Sequence, residues 1–230
     1  MSDVWKFPST PHLAWLAKSA LRADKLLSPL EVNCFFSGEI VIEEKIDGAN
    51  LGLSFDARGH LRFQNRGDWV DGRFSGQWKL LRGWASKHEA ALHDVLPQNH
   101  VLFGEWCYAV HSVRYDRLPD WYLAFDVYDP KVRRFWSTRR RDALLTAAQI
   151  EQVPRISRGR FALEDFKQIL KGRSAFGPSM REGLYLRIED DGWLLNRAKL
   201  VNPEFTQAIA RHWSKKPLES NALSPLEGRE

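Results

Sequence analysis

One lysine, Lys45, stands where a side chain could act as a nucleophile, between an apolar run and a tight turn. The run Ile40-Val41-Ile42 is typical of a strand, and Asp47-Gly48 favours a turn just after the lysine. A lysine in water has a pKa of about 10.4, so almost none of it is the reactive free amine at neutral pH. Burial beside cationic groups or a metal ion lowers that pKa and exposes the nitrogen lone pair. The segment therefore indicates covalent chemistry on Lys45, or else a strand and a turn without any chemistry.

Four further segments contain charged or aromatic residues at strand ends or in alternating strands. They are Phe103-Gly104-Glu105-Trp106, Trp121–Asp129, Arg181-Glu182-Gly183 and Leu195–Leu200. Alternation predicts that Leu123, Phe125 and Val127 share one face of their strand, and that Arg197 and Lys199 share one face of theirs. Taken alone, each segment also fits an ordinary role, such as a core phenylalanine or a solvent-facing glutamate.

The elements that must position these residues are mainly strands. The sequence predicts strands at Ile40–Lys45, Leu51–Phe55, Leu61–Gln64, Val101–Trp106, Tyr122–Tyr128, Gly183–Ile188 and Trp193–Lys199, and helices near Gln77–Val95, Arg139–Ile150, Leu163–Leu170 and Pro203–Trp213. Asn202 is the expected N-cap of the last helix, with Pro203 at its first position. This mixture predicts an α+β fold of mainly antiparallel sheets with flanking helices over residues 1–213. Residues 214–230 are expected to form a polar, loosely held C-terminal tail.

The spacing of Lys45, Asp47, Gly48 and Asn50 resembles the active-site motif of the covalent nucleotidyltransferases. These enzymes include ATP-dependent DNA ligases, RNA ligases and mRNA-capping guanylyltransferases. The other four segments follow in the order that this superfamily shows, so the chain resembles an ATP-dependent RNA ligase of the RNA ligase 2-like type. The resemblance implies a nucleotidyltransferase domain, with the ATP-grasp-like fold of ligase adenylation domains. Only 31 residues follow Lys199, too few for the accessory domains of the larger ligases, so we expect a minimal catalytic domain.

The resemblance also assigns a role to each matching residue. Lys45 would take up AMP from ATP, Glu105 would bind the ribose hydroxyls, and Phe125 would stack on the adenine. Lys199 would bind the α-phosphate, and Glu182 with Asp47 would lie near a divalent metal, Mg²⁺ or Mn²⁺. The complete nucleotide-binding set that it implies is Glu44, Lys45, Asn50, Arg66, Glu105, Phe125, Glu182, Arg197 and Lys199.

Three positions fit this pattern less closely. Arg197 stands where the superfamily usually has a lysine; arginine binds phosphate well but cannot release its proton. Arg66 matches an arginine of RNA ligases only by its placement after the lysine motif, and it could instead cap a turn. Asp47 has an equally good structural interpretation, because Asp-Gly is a common way to build a tight turn.

The composition limits the partners and the compartment. There are 34 Lys and Arg against 29 Asp and Glu, giving a formal charge of +5 and a pI near 9.3, which favours a polyanionic partner. The two cysteines, Cys34 and Cys107, form neither a metal-ligand pattern nor a disulfide framework. No stretch has the length of a membrane span and the N-terminus lacks the features of a signal peptide, so we expect a cytoplasmic protein without membrane association.

These features together predict an ATP-dependent polynucleotide ligase that joins 5′-phosphate and 3′-hydroxyl ends. RNA is the favoured strand, a nicked duplex is one candidate substrate, and a separate end-healing kinase or phosphatase is a candidate partner. Two alternatives stay open. One is a minimal DNA ligase or a GTP-using capping-type transferase; the other is a nucleic-acid-binding module that kept the fold without independent activity.

Overall fold

The computed structural model describes residues 4–17, 25–72, 74–208 and 217–225. Over these residues the chain forms two antiparallel β-sheets, one of four strands and one of six, with helices packed on their outer faces. In chain order the elements are α1 (Pro29–Ser37), β1 (Ile40–Lys45), β2 (Ala49–Phe55), β3 (Leu61–Asn65), β4 (Asp68–Trp69), α2 (Leu81–Val95), β5 (Val101–Trp106), β6 (Tyr122–Asp129), β7 (Arg134–Phe135), α3 (Thr138–Ala148), β8 (Arg155–Gly159), α4 (Leu163–Leu170), β9 (Gly183–Glu189), β10 (Leu194–Val201) and α5 (Pro203–Ala208). The predicted α+β fold of mainly antiparallel sheets is confirmed. No helix in this part of the chain combines the length and apolar character needed to cross a membrane.

The first sheet, in strand order β10-β9-β1-β8, is apolar on its outer face and polar on its inner face. Ile40 and Ile42 of β1 pack outward against Phe35 of α1 and Phe166 of α4. Because side chains alternate along a strand, the residues between these apolar positions point to the inner face. The same alternation in β1, β9 and β10 gives an inner face that carries Glu43, Lys45, Tyr185, Arg187, Arg197 and Lys199.

The second sheet, in strand order β4-β3-β2-β5-β6-β7, packs its outer face on α2 and α3. Its inner face carries Phe103 and, one pleat along β5, Glu105. The N-terminal segment covers part of this face: Trp5 stacks on Tyr128 with ring centroids 3.6 Å apart, and Phe7 packs edge-on against Phe103 at 5.0 Å. The inner faces of both sheets and the N-terminal segment therefore enclose a common space.

A β-bulge in β6 changes which of its side chains face inward. Two successive residues of β5 pair with Ala124 and Asp126, which leaves Phe125 between them as an extra residue. Beyond the bulge the alternation is reversed, so Val127 packs into the outer core while Leu123 and Phe125 lie in a different cluster. The prediction that all three share one face is therefore wrong for Val127.

Four charged side chains without solvent exposure join the two sheets, and we call Glu43, Asp126, Arg141 and Arg187 the inter-sheet ion cluster. Nη2 of Arg141 lies 2.6 Å from Oε1 of Glu43. Nη1 of Arg187 lies 2.6 Å from Oδ1 of Asp126 and 3.7 Å from Oε2 of Glu43. Burying a single charge costs several kcal/mol, so each member depends on the others to stay in place. The cluster thereby fixes how the two inner faces meet.

Most predicted elements are present, and the differences have local causes. β1, β5 and α4 have the predicted bounds, whereas α2 begins only at Leu81, after a 3₁₀ turn over Gly76–Trp78. The sequence did not predict α1 or β8. The residues of β8 are mostly polar, and they form a strand because they pair with β1. Asn202 caps α5 as predicted, since its Oδ1 accepts a hydrogen bond from the Glu204 amide. The predicted helical residues 209–213 lie outside the described part of the chain.

The C-terminal residues that the structure describes differ from the expected loose tail. Residues 217–225 form β-bridges with residues 109 and 118, and Asn221 is buried. The expected boundary at residue 214 lies outside the described residues. A polar composition suggested a solvated tail, but the polar groups here bond to the protein instead.

Candidate active site

A cavity of about 430 Å³ lies between the inner faces of the two sheets. Small-molecule sites typically measure roughly 300–1,000 Å³, so a nucleotide-sized ligand is within its range. Seven of the predicted nucleotide-binding residues line it: Glu44, Lys45, Asn50, Arg66, Glu105, Phe125 and Lys199. Asp47, Glu182 and Arg197 do not line the cavity; each contacts other groups of the protein.

Lys45 ends β1, and its amine is held by a carboxylate. Nζ lies 2.5 Å from Oε2 of Glu182, and 27% of the lysine side chain remains exposed. Strand register explains the contact, because Lys45 lies opposite Gly183 on β9 and Glu182 immediately precedes that glycine. A Cβ at residue 183 would lie 2.6 Å from the carbonyl oxygen of Leu200 and 3.3 Å from Cδ of Lys45. Only glycine fits this position beside the lysine.

The electrostatic surroundings of Lys45 differ from the expectation of a neutral amine. Burial lowers the pKa of Lys45, but the carboxylates of Glu182, Asp47 and Glu105 outweigh it and hold the pKa above its usual value. Burial also raises the pKa of Glu182 to about 7, although Lys45 opposes that shift. The protein's own groups therefore raise the pKa of Lys45 rather than lower it, because three acidic side chains lie near the amine.

Three cavity residues hold buried polar atoms that have no hydrogen-bond partner among the described residues. These atoms are Oε1 of Glu44, Oδ1 of Asn50 and Oε2 of Glu105. Asn50 and Glu105 lie directly opposite each other on β2 and β5, and Glu44 precedes Lys45 on β1. Buried polar atoms are nearly always hydrogen-bonded, so the two unpaired acceptors of Asn50 and Glu105 on the inner face indicate a ligand that donates hydrogen bonds. The carboxylate of Glu44 lies on the opposite face of β1, where its Oε2 accepts from the Ala175 amide.

Glu105 is held close to neutrality by its surroundings. Burial raises its pKa to about 8, although Lys45 and Arg66 oppose the shift. The glycine before it is also required by close packing, because a Cβ at residue 104 would lie 2.5 Å from the ring of Tyr122. The Gly-Glu pair thus brings a weakly ionised carboxyl group to the cavity wall.

Lys199 reaches the cavity from β10, beside the N-terminal segment. Its amide donates to the carbonyl oxygen of Pro11 and its carbonyl oxygen accepts from the amide of Leu13, both at 2.9 Å. Burial lowers the pKa of Lys199 to about 8, and the charge of Lys45 lowers it further. Two amines facing one cavity favour an anionic ligand such as a phosphate chain.

Arg197, predicted to bind phosphate, instead contacts protein groups. Its Nη1 lies 3.4 Å from Oδ2 of Asp126, and its Nη2 donates to the carbonyl oxygen of Pro8 at 3.3 Å. The guanidinium carbon lies 4.6 Å from the ring centre of Phe7 and 4.5 Å from that of Phe135. Arg197 therefore fastens the N-terminal segment to the inner face, and its binding of phosphate stays a prediction.

That N-terminal segment is the part of the site that the sequence did not identify. Its residues Lys6, Phe7, Pro8, Ser9 and Thr10 all line the cavity. Phe7 packs edge-on against Phe125, with ring centroids 5.3 Å apart. A short aromatic and polar run at the N-terminus carries no chemical signal by itself, so only the fold reveals that it forms one wall.

Irregular backbone positions Phe125 and Arg66. Phe125 is the extra residue of the β6 bulge, which turns its ring toward the cavity. Arg66 has φ of +54°, in the left-handed region that residues other than glycine rarely adopt. Such strained conformations persist where the surrounding structure imposes them and are frequent at functional sites.

The Asp47 carboxylate holds a loop in place, which leaves it less free to bind a metal ion. Its Oδ2 accepts hydrogen bonds from the amides of Ser112, at 2.5 Å, and Val113, at 3.0 Å. Over the described residues, no three or more His, Cys, Asp or Glu side chains are grouped to hold a metal ion. Mg²⁺ bound with a nucleotide commonly takes one or two carboxylates, with phosphates and water as its other ligands, and Glu182 fits that pattern.

Solved structures of Naegleria gruberi RNA ligase share this fold. A mutant of that ligase with ATP and Mn has a TM-score of 0.60 and 13% identity, over 89% of this chain and 63% of the other. The same ligase with PPi has a TM-score of 0.61 and 15% identity, over 89% and 64%. A mutant with AMP and Mn has a TM-score of 0.58 and 14% identity, over 89% and 64%. At these identities the likeness shows the fold alone, and this chain spans less than two thirds of those ligases.

The sequence itself gives the family. No curated protein matches the chain. The model of the RNA ligase family, however, matches residues 38–201, which is well over half of the chain and contains every predicted motif from Lys45 to Lys199. The chain belongs to the RNA ligase family.

Proposed function

We propose that this chain is an ATP-dependent RNA ligase that joins 5′-phosphate and 3′-hydroxyl ends through a covalent lysyl–AMP on Lys45. The observation that carries the proposal is one cavity lined by two amines and by unpaired buried acceptors. Lys45 and Lys199 suit a triphosphate, while Asn50 and Glu105 suit the hydroxyl and amino donors of adenosine. Naegleria gruberi RNA ligase, which shares the fold, was solved with ATP and Mn.

In the first step Lys45 attacks ATP. Nζ, once it has lost its proton to solvent, forms a bond to the α-phosphorus, and the bond from that phosphorus to the pyrophosphate oxygen breaks. Lys199 neutralises charge on the α-phosphate, Glu105 orients the ribose, and Phe125 stacks on the adenine. The ring contributes about 1–3 kcal/mol to base binding by stacking.

Two further transfers complete the reaction. An oxygen of the RNA 5′-phosphate attacks the phosphorus of lysyl–AMP, which breaks the N–P bond and restores the amine of Lys45. The 3′-hydroxyl of the other end then attacks the 5′-phosphate, forms the phosphodiester and releases AMP. The same cations that hold the ATP phosphates would balance charge in each transfer.

A divalent ion belongs to the proposal, with Glu182 as its protein ligand. When bound, Mg²⁺ or Mn²⁺ supplies positive charge that offsets the phosphates and lowers the pKa of the neighbouring amine. Asp47 contributes by holding the loop rather than by binding the metal ion, because its Oδ2 already accepts hydrogen bonds from two amides.

The partners and the compartment are also part of the proposal. RNA is the favoured substrate, a nick in a duplex is one candidate form of it, and a separate kinase or phosphatase would prepare ends that lack the required groups. Cys34 and Cys107 are both free thiols, which fits a reducing cytoplasm.

Covalent labelling tests the proposal directly. The protein is incubated with α-³²P-ATP and Mg²⁺ or Mn²⁺, denatured, and separated by gel electrophoresis. Label should remain on the wild-type chain and vanish in Lys45→Ala, because Lys45 is the proposed nucleophile. Lys167→Ala is the matched control, since Lys167 makes an exposed ion pair with Glu164 on α4 and should keep full labelling.

The same assay separates the alternatives. Label from GTP rather than ATP would indicate capping chemistry, and no label from either would indicate a binding module; the family assignment favours neither. Sealing of matched RNA, DNA and hybrid nicks then identifies the strand. Equal or faster sealing of DNA would replace RNA ligase with a minimal DNA ligase.

A further inference from the structure

The C-terminal residues 217–225, which we call the C-terminal strap, are bound along the loop of residues 107–118. Five backbone hydrogen bonds of 2.8–3.0 Å join the two segments. Among them, the amide of Val110 donates to the carbonyl oxygen of Glu219, and the amide of Ser224 donates to that of Leu118. The strap thus adds a strand-like layer to a loop that has no regular structure of its own. A loop held in this way is fixed by the distant end of the chain.

One buried side chain, Asn221, ties both halves of the loop together. Its Oδ1 accepts from the amide of Tyr115 at 2.8 Å. Its Nδ2 donates to the carbonyl oxygens of Cys107, at 2.8 Å, and Ala109, at 3.2 Å. With 4% exposure, the amide has little access to water that could replace these bonds.

The loop in turn holds the residues that follow Lys45. The carboxylate of Asp47 accepts from two loop amides, and the amide of Asp47 donates to the hydroxyl of Tyr115 at 2.9 Å. Ile46, 2% exposed, packs into the cluster formed by Cys107, Val113 and Tyr115. Both residues after Lys45 therefore rest on the loop that Asn221 secures.

We propose that Asn221 is a positioning residue for Lys45, and that the C-terminal strap is a working part of the active site. The connection runs from Asn221 through Tyr115 to Asp47, two residues from the nucleophile. Since Lys45 is the last residue of its strand, only the turn after it constrains its direction on that side. This inference rests on the proposed function, because it concerns the rate at which Lys45 takes up AMP.

Two variants interrupt the connection at different points. Asn221→Ala removes the ties between strap and loop, while Tyr115→Phe removes only the hydroxyl that accepts from Asp47. Each should slow single-turnover formation of lysyl–AMP by about 10- to 100-fold, the loss expected when a reacting group is misplaced by an ångström. The apparent KM for ATP should stay within about twofold of wild type, because Glu105 and Phe125 still bind the nucleoside.

The strap also provides the matched control. Glu219→Gln breaks the exposed ion pair with Arg114 but leaves the backbone bonds of the strap unchanged. It should label at the wild-type rate. In the double variant of Asn221→Ala with Tyr115→Phe, the rate losses should be less than multiplicative, because both act through Asp47.

Several results would overturn the inference. Wild-type rates in both single variants would do so, as would multiplicative losses in the double variant or a loss that matches the unfolded fraction measured by circular dichroism. If Asn221→Ala does not fold, Tyr115→Phe, which leaves the strap in place, decides alone. A wild-type chain that takes no label would end the proposed function and this inference together, whereas a labelled wild type with unaffected variants would end the inference only.

Discussion

Replacing Glu105 by glutamine should make the protein more stable while it impairs nucleotide binding. The carboxyl group of Glu105 faces the cavity with one oxygen unpaired, and burial raises its pKa from 4.5 to about 8. A group whose pKa is raised in the folded state stabilises the fold fully only below its unfolded pKa, and that contribution is lost as the pH rises through the folded pKa. Glutamine has nearly the same shape and no proton to lose, so Glu105→Gln should escape this loss.

The size of the effect follows from the two pKa values. Between pH 4.5 and about 8 the unfolded chain ionises residue 105 and the folded chain does not. Over that window the wild type loses about 1.4 kcal/mol of unfolding free energy per pH unit relative to Glu105→Gln. The advantage of the variant should therefore be near zero below pH 4.5, about 3 kcal/mol at pH 7, and constant at about 5 kcal/mol well above pH 8.

Urea denaturation at pH 5, 7 and 9, followed by tryptophan fluorescence, measures this difference. Glu164→Gln, at an exposed glutamate of α4, is the control and should change the free energy of unfolding by less than about 0.5 kcal/mol at each pH. The electrostatic account of Glu105 would be refuted by a variant no more stable than wild type at pH 9. It would also be refuted by a stability gain that does not change with pH.

Three other substitutions test the remaining assignments. Phe125→Ala should raise the apparent KM for ATP about tenfold with little change in melting temperature, since the ring loses its stacking on the base; the reverse pattern would mean a core role. Arg197→Lys should lower the free energy of unfolding by about 1–2 kcal/mol in urea, because lysine cannot stack on Phe7 and Phe135 as the guanidinium does; unchanged stability would restore the phosphate role. Arg187→Met should cost about 3–5 kcal/mol in the same measurement, because it leaves Asp126 buried without its main partner, and a cost below about 1 kcal/mol would contradict the importance of the inter-sheet ion cluster.

The sequence predicts best those site residues that lie at the ends of regular strands. Lys45 ends a strand whose bounds are predicted correctly, and Glu105 lies in another. The apolar run Ile40-Val41-Ile42 and the Asp47-Gly48 turn define the first strand, and the apolar run Val101-Leu102-Phe103 indicates the second. The side of the sheet then follows from alternation, which places Lys45 and Lys199 on the inner face.

Where the backbone is irregular, the sequence fails, because the period of two no longer applies. Phe125 occupies a bulge, and the alternation that predicts its face gives the wrong face for Val127. Arg197 obeys the alternation, but its neighbours on that face come from distant segments, so its pairing with Asp126 is invisible locally. The raised pKa of Lys45 has a similar origin, because two of the acidic side chains that raise it, Glu182 and Glu105, come from distant segments.

Several unfavourable features of this fold lie at or beside the cavity. Burial raises the pKa of Glu44, Glu105 and Glu182, so each carboxyl group makes the folded state less stable at neutral pH than a neutral side chain would. Glu43 of the inter-sheet ion cluster lies only two residues from Lys45 along β1, yet the charges of this cluster are fully paired. The chain can therefore pair buried charges where only folding requires it. Stability therefore does not explain why the cavity acceptors are left without partners. A ligand that brings donors to these acceptors and negative charge to Lys45 and Lys199 would remove both deficits at once, and an adenine nucleotide has this distribution of groups.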